Sequence, residues 1–188
     1  MPLPEDRGTG LGKPLKLINH PVRDRIPIVV AAIGPKNVAM TAELAEGWEP
    51  IFYVPEQAKN VWGAALAAGT AKRDPSLPPL DVVVGAPLAM GARDQNFYRN
   101  LARRYGYEAE AQRIQDLYLD GKKAEAAAAV PHDLLARTSL IGQEGHIAER
   151  LAALRETGVT TINVTPLAAT HAERVRLIER VKELASGA

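Results

Sequence analysis

The sequence predicts an α/β fold built on a parallel sheet. Apolar, β-branched runs that read as strands alternate with segments of helical period. Glycines and prolines fall at the joints between them. Two of the helical segments open on a proline at the position of the first helical residue, where its missing N–H costs nothing. Strand candidates lie at about 26–33, 51–54, 80–88 and 159–164. Right-handed connections should link them. An open doubly wound sheet can use four or five strands, whereas a closed eight-stranded barrel takes about 250 residues. Periodicity alone does not separate an open sheet from part of a barrel.

Residues 1–25 read as a loop or linker, because Pro2, Pro4, Gly8, Gly10, Gly12, Pro14 and Pro21 interrupt any regular period. The glycines at 8, 10 and 12 follow no strand, so they do not meet the dinucleotide fingerprint. Ile26–Ile33 is a continuous apolar run and reads as a buried strand. Pro35–Ala45 reads as a helix with Val38, Thr41, Ala42 and Ala45 inside and Gly47 just past its end. Ile51–Val54 is a short strand after Pro50, which cannot donate to a central ladder. Pro55–Ala68 is a helix carrying Val61, Ala65 and Ala68 on one side with Trp62 beside them, stopped by Gly69. Leu80–Leu88 is the third strand. Helices then follow at Asn96–Tyr105, Glu108–Leu119 and Lys122–Val130, separated by Gly106 and Gly121, and "HDLLARTSLIG" is a bridge. His146–Glu156 is a helix with Ile147, Leu151 and Leu154 on one face, and Val159–Val164 is the last strand. The final helix runs from His171 to about Ala185, with a Thr170–Glu173 capping box and a buried stripe of Val175, Ile178, Val181, Leu184 and Ala185.

Composition removes several function classes. The 188 residues carry 23 basic and 22 acidic side chains, a formal charge of +1, which gives no electrostatic reason to expect nucleic acid or an anionic membrane. There is no cysteine, so disulfides, Cys-ligated zinc and thiol nucleophiles are excluded, and a reducing cytoplasm fits. No apolar run approaches the roughly 20 residues of a membrane-spanning helix. His20, His132, His146 and His171 have no metal-ligand spacing, and no metal site is expected; His146 is expected on an exposed helix face.

Ligands of parallel α/β sheets bind at the carboxyl ends of the strands. The sharpest such segment is "AAIGPKN". Gly34 permits close backbone approach, and the amides of Lys36 and Asn37 fall in a first helical turn without intrahelical partners. With the helix dipole and the Lys36 charge they favour an anion. A plain strand-to-helix turn is the simpler account of the pattern by itself. "GARDQNFYRNLARRYGY" gathers Arg93, Arg99, Arg103, Arg104, Tyr98, Tyr105 and Tyr107 and could bind an anionic tail, although such a cluster is more often a solvated helix with its aromatics packed inward. Phosphate-loop, nucleophile-elbow and zincin motifs are all absent, so no catalytic residue is named.

"IPIVVAAIGPKNVAMTAELAEGWEPIFYVPE" resembles the luciferase-like monooxygenase superfamily, in particular its members that use the deazaflavin coenzyme F-420. "NFYRNLARRYGYEAEAQRIQDLYLDGKKAEAAAAVPHDLLARTSLIG" and "LAALRETGVTTINV" are similar to later parts of the same family, in order, so that the likeness covers most of residues 8–165. The resemblance implies a TIM-barrel type α/β fold in which this chain supplies strands five to eight with their helices, a half or truncated barrel occupying residues 26–188. It implies an oxidoreductase that exchanges a hydride between coenzyme F-420 and a small-molecule substrate, with flavin mononucleotide (FMN) as the alternative coenzyme. It places Ala32, Ile33, Gly34, Pro35, Lys36 and Asn37 against the coenzyme near its phosphate. Relatives have four further strand-helix units ahead of this region, and a longer passage where this chain reads "VVVGAPLAMGARDQN". The activity of this chain is therefore expected to be incomplete, and a non-catalytic barrel remnant or self-associating module is the competing reading. A half barrel has two open sheet edges, an association hazard. The chain is expected to be a homo-oligomer whose edges are covered by a partner copy; light scattering of the soluble protein should give a mass above one chain, and a sharp monomer peak would refute it.

Overall fold

The computed structural model of the chain describes residue 22 and residues 25–85 and 97–187. Strands β1 (Val29–Ala31), β2 (Gly47–Glu49), β3 (Asp81–Val84) and β4 (Thr161–Ile162) form one sheet in the order β1-β2-β3-β4. Every neighbouring pair is parallel, with Val30 opposite Trp48, Trp48 opposite Val82, and Val84 opposite Ile162. Helices α1 (Pro35–Leu44) and α2 (Pro55–Thr70) connect the first three strands. Helices α3 (Phe97–Arg104), α4 (Glu108–Leu119), α5 (Lys123–Ala128), α6 (His132–Thr138) and α7 (Glu144–Glu156) lie between β3 and β4, and α8 (His171–Gly187) ends the chain.

This order decides between the architectures that periodicity left open. A doubly wound sheet reverses its strand order at a switch point. Here spatial order equals chain order throughout. With right-handed connections, successive crossovers then fall on the same face of the sheet, which is how a TIM-type barrel wall is built. The sheet is open: among the described residues β1 and β4 do not pair with each other. The side chains agree with a one-sided cover. Val30, Trp48, Val82, Val84 and Ile162 join the helices in the core. Of the alternate residues on the opposite face, Val29, Ala31, Glu49 and Thr161 are exposed or half-buried, while Gly47 and Val83 in the central strands are buried.

Several local expectations change. The second strand is Gly47–Glu49, not Ile51–Val54. Pro50 ends the ladder instead of preceding it, and Ile51–Val54 is a loop whose Phe52 has φ 48°. Gly47 is a strand residue and not a helix stop: a Cβ there would lie 2.9 Å from a Val29 methyl. Gly69 does not stop α2 but lies inside it, where a Cβ would come 2.1 Å from the Ala39 carbonyl oxygen of α1. It is the contact that lets the two helices approach, while Ala68 beside it is exposed. The Ile26–Ile33 run is no buried strand. Only three of its residues pair, at the sheet edge, and Ile26 and Ile28 are 79% and 63% exposed. Residues 132–138, read as a bridge, form α6. The α8 stripe is not buried, Val175 and Ile178 being 38% and 39% exposed, because α8 packs chiefly on α7. The Thr170–Glu173 capping box is present: the Thr170 amide donates to the Glu173 carboxylate at 3.1 Å and the Glu173 amide to the Thr170 hydroxyl at 3.3 Å.

Two arginines tie the helices to one another and to the loop after α2. Arg73 donates to the Ala42 and Ala45 carbonyls at 2.8 and 2.7 Å, satisfying the orphan C-terminal end of α1, and to Pro78 at 2.6 Å. Arg150 on α7 is 8% exposed and pairs with Glu56 in the first turn of α2, also donating to the Arg137 carbonyl at 3.1 Å. Burial pushes the Glu56 carboxyl up. Hydrogen bonds from Arg150 and its own amide, with the charges of Arg150 and Arg137, outweigh this and hold it below its ordinary value of 4.5. Its folded value lies below the unfolded one. The resulting stability is therefore present above the ordinary carboxylate range and is lost as pH falls through the lowered folded value. Glu56→Gln is expected to melt about 2–4 °C lower than the parent near neutral pH, and thermal melts of the two should converge as pH falls through the lowered folded value of Glu56.

Candidate functional site

The turn after β1 is set by the core beneath it. Trp48 is fully buried at the centre of β2, and its indole N–H donates to the Ala32 carbonyl at 3.0 Å. Trp62 and Tyr53 meet it edge-on at 5.4 and 6.3 Å. Ala32 is buried, Ile33 and Gly34 are half-buried, and Pro35, Lys36 and Asn37 are exposed. Gly34 caps α1 with φ −71° and ψ 141°, an extended conformation open to any residue. A Cβ on Gly34 would meet nothing within 4 Å, so the fold itself does not require glycine, and the space above the turn is open.

The Val38 amide bonds the Gly34 carbonyl at 2.9 Å, Pro35 has no N–H, and α1 has no side-chain cap. The amides of Lys36 and Asn37 therefore remain as the outward donors of the first turn. That turn contains no acid. The start of α2 is built the same way, Pro55 first and uncapped, but carries Glu56. Of these two helix starts, only that of α1 keeps its positive end uncompensated and adds a lysine, the arrangement that suits an anion.

A second polar feature on this rim escaped the sequence. Glu49 closes β2, and its side chain lies on the face opposite Trp48. Asn163 follows β4, its amide bonding the Val84 carbonyl at 2.8 Å. Across the end of β3 the Asn163 side-chain amide donates to Glu49 Oε1 at 3.4 Å. Gly85 lies beneath, where a Cβ would fall 3.4 Å from Asn163 Cβ and 3.5 Å from Glu49 Oε1. Just beyond Glu49, Phe52 holds a left-handed backbone. Its carbonyl accepts from the buried Tyr105 hydroxyl at 2.7 Å. Burial pushes that hydroxyl up to about 12, so it stays a donor. Strain of this kind collects beside functional sites.

Residues 8–161 match the luciferase-like monooxygenase family. The chain belongs to that family. It is 35% identical over 202 residues to a Mycobacterium tuberculosis protein provisionally named a coenzyme F-420-dependent oxidoreductase, a match covering 94% of this chain and 56% of that one. Two solved structures share the fold. The coenzyme F-420-dependent tetrahydromethanopterin reductase of Methanopyrus kandleri aligns with a TM-score of 0.64 at 19% identity, over 81% of this chain and 49% of that one. An F-420-dependent secondary alcohol dehydrogenase, solved with an F-420–acetone adduct, aligns with a TM-score of 0.55 at 14% identity, over 86% and 49%. The chain spans about half the length of the relatives it matches.

Within this luciferase-like chain the arginine–tyrosine segment is structural where it is described. Arg104 donates to the Val61 carbonyl at 2.6 Å and lies 5.6 Å from the Trp62 ring centre. Arg103 pairs with Glu108 at 2.9 Å, and Tyr107 donates to Asp133. Arg93 and the side chains of Tyr98 and Arg99 lie outside the described residues, as do Gly8, Gly10, Gly12, His20 and most of "GAPLAMGARDQN". His146, expected on an exposed face, is half-buried against the Ala136 carbonyl. Among the described residues no His, Asp or Glu cluster could hold a metal, and no helix is long and apolar enough to cross a membrane. After β4, an open hollow of about 620 Å³ is lined by Thr165–Ala169 and Arg174. Arg174 is occupied there, donating to the Ala168 and Ala169 carbonyls at 2.9 and 3.3 Å.

Trp48→Phe should keep most of the packing but leave the buried Ala32 carbonyl unpaired, a loss of about 1–3 kcal/mol. Denaturant unfolding should show that loss, and amide exchange should quicken at Val38, whose bond to the Gly34 carbonyl closes the turn.

Proposed function

We propose that the chain forms the coenzyme-phosphate side of a deazaflavin (coenzyme F-420)-dependent oxidoreductase acting on a small organic molecule. The observation that carries this reading is the start of α1 in a member of the luciferase-like family. Two unpaired amides, a lysine, no acid and open space over Gly34 meet at the carboxyl end of a parallel strand.

The residues present suit the phosphate of such a coenzyme. Lys36 and Asn37 would donate their amides to it, the Lys36 ammonium would neutralise charge, and Gly34 would let the oxygens come close to the backbone. Pro35 and the Trp48–Ala32 bond keep the turn in shape before the ligand arrives, so little ordering cost remains at binding. The coenzyme supplies the hydride chemistry when bound; the chain's part is to bind and orient it. Family membership and two F-420-dependent structural neighbours support this coenzyme, and no feature of the turn favours FMN over it.

Titrating F-420 into the protein and following its fluorescence is expected to show saturable binding. Lys36→Ala should weaken it about two- to fivefold, with the loss shrinking as salt is raised. An absence of saturation at high micromolar coenzyme would refute the reading.

A further inference from the structure

On the rim of the sheet, most described charged side chains are occupied within the fold. Arg174 ties the loop after β4. Asp81, at the opposite end of β3, accepts from the Thr160 and Thr161 hydroxyls. Glu49 and Asn163 differ. They come from strands that do not touch, β2 and β4, and meet over Gly85 at the end of the strand between them. Their mutual bond, at 3.4 Å, is long and uses one of several lone pairs on the Glu49 carboxylate and one N–H of the Asn163 amide. The pair therefore presents further acceptors beside a further donor, on the inner face of the sheet. Ala31, opposite Glu49 in the ladder, leads directly into the turn at Ala32.

We propose that Glu49 and Asn163 form a recognition pair for the imide edge of the coenzyme ring, a claim that rests on the F-420 reading above. The pyrimidine part of a deazaflavin presents an N–H flanked by two carbonyls. A carboxylate accepts from that N–H, and the neighbouring carboxamide donates to a carbonyl, so the two side chains complement the N–H and one of its two flanking carbonyls. Gly85 carries no side chain between the pair, so the backbone at the end of β3 can lie close to a flat ring. An alanine methyl there would just fit, and a larger side chain would push the pair apart. The division of labour follows from charge: an anionic Glu49 suits a donor-bearing ring and opposes a phosphate, whereas the start of α1 suits the phosphate.

The test uses the full 188-residue chain and two fluorescent probes: intact coenzyme F-420 and its phosphate-free ring–ribityl fragment. Glu49→Ala is expected to raise the dissociation constant about tenfold for both probes by the same factor, and Asn163→Ala to act in the same direction. Glu49→Gln keeps an acceptor oxygen and should stay within about threefold of the parent, which separates recognition from a folding defect. Lys36→Ala should weaken the intact coenzyme alone. If the parent binds the probes and Glu49→Ala and Asn163→Ala bind them as tightly, the pair is not a ring site and only this proposal falls. If the parent binds neither probe, the F-420 reading falls and takes the pair with it.

Discussion

The indole N–H of Trp48 reaching the carbonyl of Ala32 is the contact on which the rest of the structure depends. Trp48 stands on the middle of β2, between β1 and β3, and fills the space under α1 and α2. Its ring decides where the strands stack, and its N–H decides where β1 stops and α1 begins. A buried carbonyl at that point would otherwise be costly to leave unpaired. One side chain therefore couples the core to the rim. The turn from Ala32 to Asn37 is held from beneath by packing and keeps its own donors free.

Backbone caps and close contacts add to the apolar core in holding the helices to this centre. Gly69 sits against the Ala39 carbonyl with no room for a Cβ, so α1 and α2 pack nearly backbone to backbone. Arg73 then closes the carboxyl end of α1 while its amino end is left open. Arg150 draws the start of α2 toward α6 and α7 through Glu56 and the Arg137 carbonyl. Gly69 and Arg73 act toward the carboxyl ends of α2 and α1, away from the carboxyl ends of the strands, whereas the Arg150–Glu56 pair braces the start of α2 on the same side as the turn at Gly34.

Much of this was legible in the residues. The prolines at 35 and 55 marked both helix starts, and the inner face Val38, Thr41, Ala42 and Ala45 was read correctly. The turn from Ala32 to Asn37 stands where the alternation put it. Strand β2 was misread because Pro50 and the apolar "IFYV" suggested a strand after the proline, whereas the burial of Trp48 and the close fit of Gly47 under Val29 place it before. That shift concealed Glu49, which belongs to a strand end only once the register is known. Asn163 was concealed for a related reason: its partner lies 114 residues away, and no local pattern reports such a pair. The α8 stripe was visible as a pattern, but which surface covers an amphipathic helix is decided by its neighbours.

Strand β4 has only two paired residues, and it reaches β3 after the longest excursion of the chain, through α3 to α7. The loop that must close before β4 can dock is far longer than those before β2 and β3, so its pairing comes at a greater entropic cost. A short ladder at the open edge of the sheet then holds it, the kind of element that local opening can release. Asn163 travels with β4, while Glu49 and the turn at Gly34 remain with the first three strands. A fluctuation that releases β4 alone would therefore take apart the paired carboxylate and amide and leave the start of α1 intact. The two polar features of the rim thus differ in permanence, one fixed by the core and one assembled each time the last strand is in place.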